Sequence, residues 1–169
     1  LKPEKSRQFS FGVVVEPVRD ISVSLDYWNV QKRDLISTLG VDVILGDLNK
    51  YGNLVHRDVD DVIEAIDLVK ENRGKQKISG LDLNLAFNHI KTPVGELALR
   101  LNGTLTLGSE QQTGDGDPYV SNLGRFINDG VVQRWRHSLS VDWSRGPFSA
   151  TLSNTHLSGY KDQFIIGKA

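Results

Sequence analysis

The chain has 169 residues with 20 basic and 21 acidic side chains, a formal net charge of -1, so no cationic excess points to nucleic acid. It contains no cysteine, which removes disulfides, thiol nucleophiles and thiolate metal sites together. No stretch approaches the ~18 uncharged apolar residues of a membrane helix, whereas the mean hydropathy of -0.30 is compatible with a membrane barrel, whose apolar and polar positions average out.

The first residues, Leu1 to Arg7, carry charges and Pro3 instead of an apolar signal segment, and methionine is absent even at position 1. The chain therefore reads as an internal section of a longer protein. From Arg7 to Glu16 the apolar residues fall at every second place, Phe9, Phe11, Val13 and Val15, against Gln8, Ser10, Gly12, Val14 and Glu16. This period of two is the signature of a strand with one apolar face. Pro17 to Asp20 makes a tight connection, because proline interrupts a ladder and aspartate favours turns. The pattern then resumes with Ile21, Val23, Leu25 and Tyr27 against Ser22, Ser24, Asp26 and Trp28.

A long connection follows, from about Ser37 to Lys77, within which Leu54 to Arg57 and Val62 to Val69 are candidates for shorter strands. Gly40, Gly46 and Gly52 punctuate it, but with no strand-turn-helix expected around them they make no phosphate-binding fingerprint. Alternation returns in Leu81, Leu83, Leu85 and Phe87 against Asp82, Asn84, Ala86 and Asn88. Lys91 to Gly95 turns the chain into Leu97, Leu99, Leu101, Leu105 and Leu107, opposed by Glu96, Arg100, Asn102, Thr104 and Thr106. Gly108 to Gly130 is a second long connection. A third hairpin pairs Trp135, Leu139, Val141 and Trp143 with Phe148, Ala150 and Leu152 through the turn Ser144 to Pro147.

The alternating runs last roughly 8 to 12 residues, near the ~9 to 11 a tilted strand needs to cross hydrocarbon and above the ~5 to 6 usual in globular proteins. Connections alternate short and long, as do the periplasmic turns and extracellular loops of a membrane barrel. Tyr27, Trp135, Trp143, Phe148 and Tyr160 sit near the expected strand ends, where an interfacial belt takes aromatic rings. The expected fold is all-β. Residues 1–169 form one partial, antiparallel transmembrane β-barrel domain, with about seven or eight strands and long loops over about 37–77 and 108–130. A soluble β-barrel or sandwich that buries the leucine-rich face around a ligand is the alternative from the pattern alone.

Chemistry-bearing residues are sparse. His56, His89, His137 and His156 are widely spaced, and interfacial positions explain His137 and His156 better than metal ligation does. Asp115-Gly116-Asp117 lacks the remaining ligand positions of a calcium loop. No serine stands in a nucleophile elbow, so neither an enzyme nor a cofactor or metal site is expected. The polar face carries Asp26, Asp82, Glu96, Arg100, Arg134, Arg136 and Asp142, charges that water or salt bridges ordinarily satisfy. Arg134 and Arg136, with Trp28 and Tyr119, are the candidates for holding a ligand in the lumen or loops, the two arginines favouring an anion.

Leu1-Lys2-Pro3-Glu4-Lys5-Ser6, running into a strand with Phe9 and Gly12, resembles the "L-K-P-E-x-S" signature of TonB-dependent outer-membrane receptors. Asp26-Tyr27-Trp28 is similar to the pair that precedes a long extracellular loop in that family. Ser79-Gly80-Leu81-Asp82 resembles the family's "S-G-x-D/E" strand start, and Ser158-Gly159-Tyr160-Lys161-Asp162 another loop start. The resemblance implies a section of a 22-stranded barrel in the bacterial outer membrane that imports a scarce ligand: a ferric siderophore, haem, cobalamin or a saccharide. Its implied partners are outer-membrane lipid, TonB and the transported small molecule. No plug, TonB box or terminal aromatic strand is seen in the sequence, so TonB would act through a part of the protein outside it. A passive porin-like channel stays open as a further alternative.

Overall fold

The computed structural model describes residues 1–112, 114, 116–126 and 130–162. Asp115 of the Asp-Gly-Asp motif and the segment 163–169 lie outside them. In chain order the elements are β1 (Lys5–Val18), β2 (Ile21–Arg33), β3 (Ile36–Thr38), α1 (Val41–Gly46), α2 (Leu48–Tyr51), a 3-10 turn (Gly52–Leu54), β4 (Val55–Arg57) and β5 (Ile63–Ile66). They continue with β6 (Lys70–Asn72), β7 (Lys75–Thr92), β8 (Gly95–Gln112), β9 (Val120–Ser121), β10 (Trp135–Arg145) and β11 (Phe148–Leu157).

Among the described residues one seven-stranded antiparallel sheet runs β1-β2-β7-β8-β10-β11, with the two-residue β9 added to β8. The six strands of the main path are 10 to 18 residues long. The sheet is an open wall with β1 and β11 at its edges. The three hairpin turns, at Arg19–Asp20, Pro93–Val94 and Gly146–Pro147, all lie at one end, and the long connections lie at the other. Asp20 closes the first turn at φ 70, a left-handed conformation that a short polar side chain tolerates.

Cross-strand register turns the period of two into continuous rows. Phe11, Tyr27, Leu81, Leu105 and Trp135 form one apolar row. Below it, towards the turns, lie Val15, Val23, Leu85, Leu101 and Leu139, and then Leu97 with Trp143 and Ala150. The opposite face carries Asp26, Asp82, Thr104 and Arg136 as neighbours in one row, and Ser24, Asn84, Asn102 and Ser138 in the next. The alternation is interrupted at three places: between Val15 and Val18, at Asn88–His89, and at Leu107, where Gly80 pairs with Thr106 but Ser79 with Gly108. Leu107 is therefore a bulge residue, and the apolar series from Leu97 does not continue unbroken through it.

Each of the three tryptophans lies on a glycine of a neighbouring strand. A Cβ on Gly80 would collide with the Trp28 ring, one on Gly103 with the Trp135 ring, and one on Gly95 with the Trp143 indole nitrogen. Trp143 Nε1 also donates to the Val94 carbonyl at 3.0 Å. Missing side chains in these strands thus become seats for large rings.

The connection between β2 and β7 folds into a small body of its own. β4 and β5 fall within the two runs expected to be short strands and pair with each other, while β3 and β6, which the sequence did not suggest, form a second pair. Leu39, Ile44 and Tyr51 are buried to 1%, 0% and 6% exposure, with Val43, Leu54, Val55, Ile66 and Val69 packed against them. The expectation that no strand-turn-helix surrounds the first glycines does not hold, since β3 leads through Gly40 into α1. Gly46 ends α1 and Gly52 caps α2, so the three glycines belong to separate turns of this body and share no loop.

Candidate functional site

The polar face of the wall holds a hollow of about 420 Å³ where β7, β8, β10 and β11 run side by side. Asp82, Asn84, Asn102, Thr104, Arg136 and Ser138 line it. Asp82 is held from one side by the Thr104 hydroxyl, which donates to its Oδ1 at 2.7 Å. Asp26 stands opposite Asp82 on β2, so two carboxylates and the Arg136 guanidinium share one row with a hydroxyl between. In the row towards the turns, Asn84 Nδ2 donates to Ser24 Oγ at 2.9 Å. Further down, Arg100 Nη1 donates to Asp142 Oδ2 at 3.0 Å while Thr151 Oγ1 donates to Oδ1 of the same carboxylate at 2.7 Å. The surface therefore offers fixed acceptors, rotatable hydroxyls and amides and two guanidinium groups, that of Arg100 held by Asp142, a set suited to hydroxyl-, amide- or carboxylate-bearing molecules and to water.

The four residues singled out from sequence do not converge. Arg136 lines the hollow. Arg134 lies just before β10, exposed, and its carbonyl accepts from the Thr106 amide at 2.8 Å. Trp28 is on the same polar face but on β2, lying across Gly80. Tyr119 is elsewhere: Lys77 Nζ stands 4.2 Å from its ring centroid, and Lys77 belongs by register to the apolar face of β7 above the bulge. Asp82, Asn84, Asn102 and Thr104 were visible as polar-face positions, but their mutual placement depends on register, which a single chain segment does not reveal.

Histidines separate into three places. His56 meets Asp67 at 2.9 Å and His89 meets Glu96. His137 and His156, 19 positions apart, are register partners whose rings stack at 5.3 Å. Trp135 Nε1 donates to His137 Nδ1 at 2.9 Å, so the other nitrogen, 3.1 Å from Asn154 Oδ1, carries the proton of a neutral ring. Among the described residues no group of three or more histidine or acidic side chains is placed to hold a metal ion.

The aromatic rings show how such a wall sits. Trp135 and Trp143 are eight residues apart on β10, about 27 Å along a strand and about 20 Å along the axis of a barrel tilted at ~40°, close to the ~25 Å apolar band of outer-membrane barrels. Tyr27 is in the middle of β2, not at its end, because β2 continues through Asn29–Arg33. It nevertheless shares the row of Trp135. Tyr160 packs on Phe126 beyond β11, with ring centroids 6.4 Å apart.

Long antiparallel strands, an outer apolar face bounded by aromatic rows, an inner polar face, and turns and loops segregated to opposite ends define the wall of an outer-membrane-type β-barrel. The family model for the TonB-dependent receptor-like β-barrel matches residues 1–165, and the chain belongs to that family of outer-membrane receptor and transport barrels. Comparison with curated proteins and with solved structures gives no match.

Proposed function

We propose that this chain forms part of the wall and outer loops of an energised importer that carries a scarce ligand, such as a ferric siderophore, haem, cobalamin or a saccharide, into the periplasm. The observation that supports this reading is the two-faced wall itself: six long strands carry an apolar outer face and a polar inner face bearing the Asp82–Thr104–Arg136 row. Recognition belongs to the long connections and to that inner hollow, with Arg134, Arg136 and Trp28 as ligand-contacting candidates; Tyr119, which meets Lys77 on the outer face, drops out of that set. Loops on a rigid scaffold ordinarily carry recognition. TonB would supply the energy, as the family implies.

Uptake of radiolabelled ferric siderophore, haem, cobalamin and maltooligosaccharide by cells carrying the full receptor tests this. One of the four should accumulate, and a proton uncoupler should abolish its uptake. Uptake indifferent to the uncoupler would make the barrel a passive channel.

A further inference from the structure

The β1–β2 and β2–β7 registers run without a slip from the apolar rows to the loop end of these strands. The outer face can therefore be followed by parity beyond Phe9 and Tyr27. Arg7 and Lys5 continue the series of Phe9 and Phe11, Arg33 continues that of Tyr27, and Lys77 and Lys75 continue that of Leu81. Register then sets Lys5, Arg33 and Lys75 abreast, with Arg7, Gln31 and Lys77 abreast in the next row. Five cations occupy two adjacent rows of the outer face, with Glu110 opposite Lys77 as an acidic neighbour on β8.

Two hollows on this surface share Arg7 and Gln31. The upper, about 300 Å³, is lined by Lys5, Arg7, Arg33, Lys75, Lys77 and Tyr119. The lower, about 440 Å³, lies between Arg7, Phe9, Tyr27, Asn29 and Gln31. Like charges abreast on neighbouring strands repel, and the lower hollow offers aromatic surface directly beneath them. An occupant that satisfies both has an anionic head and an apolar tail.

We propose that this face binds a phosphate-bearing lipid of the outer leaflet, its phosphates on the cations of the upper hollow and an acyl chain along Phe9 and Tyr27. The proposal rests on the barrel orientation given above, with the apolar face towards lipid and the long connections outside. The arginine and lysine stems lie along the wall while their charges reach the head-group level. A free phosphate would use the upper hollow and leave the lower one idle.

The test uses the full receptor folded in neutral-detergent micelles, titrated with a bisphosphorylated glycolipid. Arg7→Gln with Lys77→Gln should weaken binding by roughly thirty-fold, at roughly fivefold per basic residue near an anionic lipid surface, and should flatten its salt dependence. Arg19→Gln with Arg100→Gln removes the same charge from the turn end and the inner face, and should change binding by less than about twofold. Phe9→Asn should weaken lipid binding by roughly tenfold. Equal losses in the two double variants would overturn the proposal, as would displacement of the lipid by equimolar inorganic pyrophosphate. A receptor that keeps a heat-dependent gel mobility but shows no selective lipid binding would sink the lipid site alone. Absence of that mobility shift would overturn the barrel reading beneath it.

Discussion

The insertion between β2 and β7 and the sheet that carries it place their apolar side chains in opposite ways. In the insertion, Leu39, Ile44 and Tyr51 are enclosed by their neighbours, and among the described residues they are the buried hydrophobic core. On the sheet, Leu25 remains 44% exposed although β2 is far longer and is paired with β1 on one side and β7 on the other. One small region thus follows the rule for folding in water, and the larger follows the rule for folding in a bilayer, where lipid covers the apolar face. The two solvents meet along the loop end of the wall.

That contrast can be broken at several points. The largest effect is expected for Ile44→Ala, which should destabilise the insertion by about 2 to 5 kcal/mol. Limited proteolysis would then cut within residues 34–74 while the heat-dependent gel mobility of the barrel stays unchanged. Loss of both together would mean that the insertion and the wall fold as one unit. Next comes a pair of neighbours on β8. Leu101→Arg lies midway between the Leu105 and Leu97 rows and should cost about 2 to 4 kcal/mol in lipid, whereas Asn102→Arg, facing inwards, should stay within about 1 kcal/mol. Denaturant titration in vesicles measures both, and equal costs would show that the two faces meet the same medium. The smallest effect is expected at the partly exposed Arg100–Asp142 pair, where Arg100→Ala should cost at most about 1 kcal/mol.

Much of the wall was legible because lipid-facing and lumen-facing residues must alternate: Ile21 to Tyr27 does so throughout, and Phe9 to Val15 and Leu81 to Phe87 do so but for Val14 and Ala86 on the polar side. The hairpin turns announced themselves through Pro17–Asp20, Pro93 and Gly146–Pro147. What the chain conceals is anything that depends on slipping or on partners. The extra residues at Leu107 and Asn88–His89 preserve a plausible local pattern while shifting the register. β2 runs past Trp28 to Arg33 through Asn29, Gln31, Lys32 and Arg33 with Val30 as its one apolar residue, which makes no alternation of oil and water. The helices of the insertion have six and four residues, too short to show a helical period. The inner hollow is the most hidden feature, since Asp82, Thr104 and Arg136 come from three strands and only pairing brings them abreast.

The seating of tryptophans on glycines also gives the protein built-in reporters. Trp28 meets Gly80 only when β2 has closed on β7, and Trp135 and Trp143 meet Gly103 and Gly95 only when β10 has closed on β8 at its two ends. The first ring faces the aqueous interior and the other two face the acyl chains. A quencher dissolved in water and one attached to a fatty acid would therefore dim different members of the set. With single-tryptophan variants, emission colour and quenching would time the closure of these strand pairs separately, giving the order in which the wall zips together as it enters a bilayer.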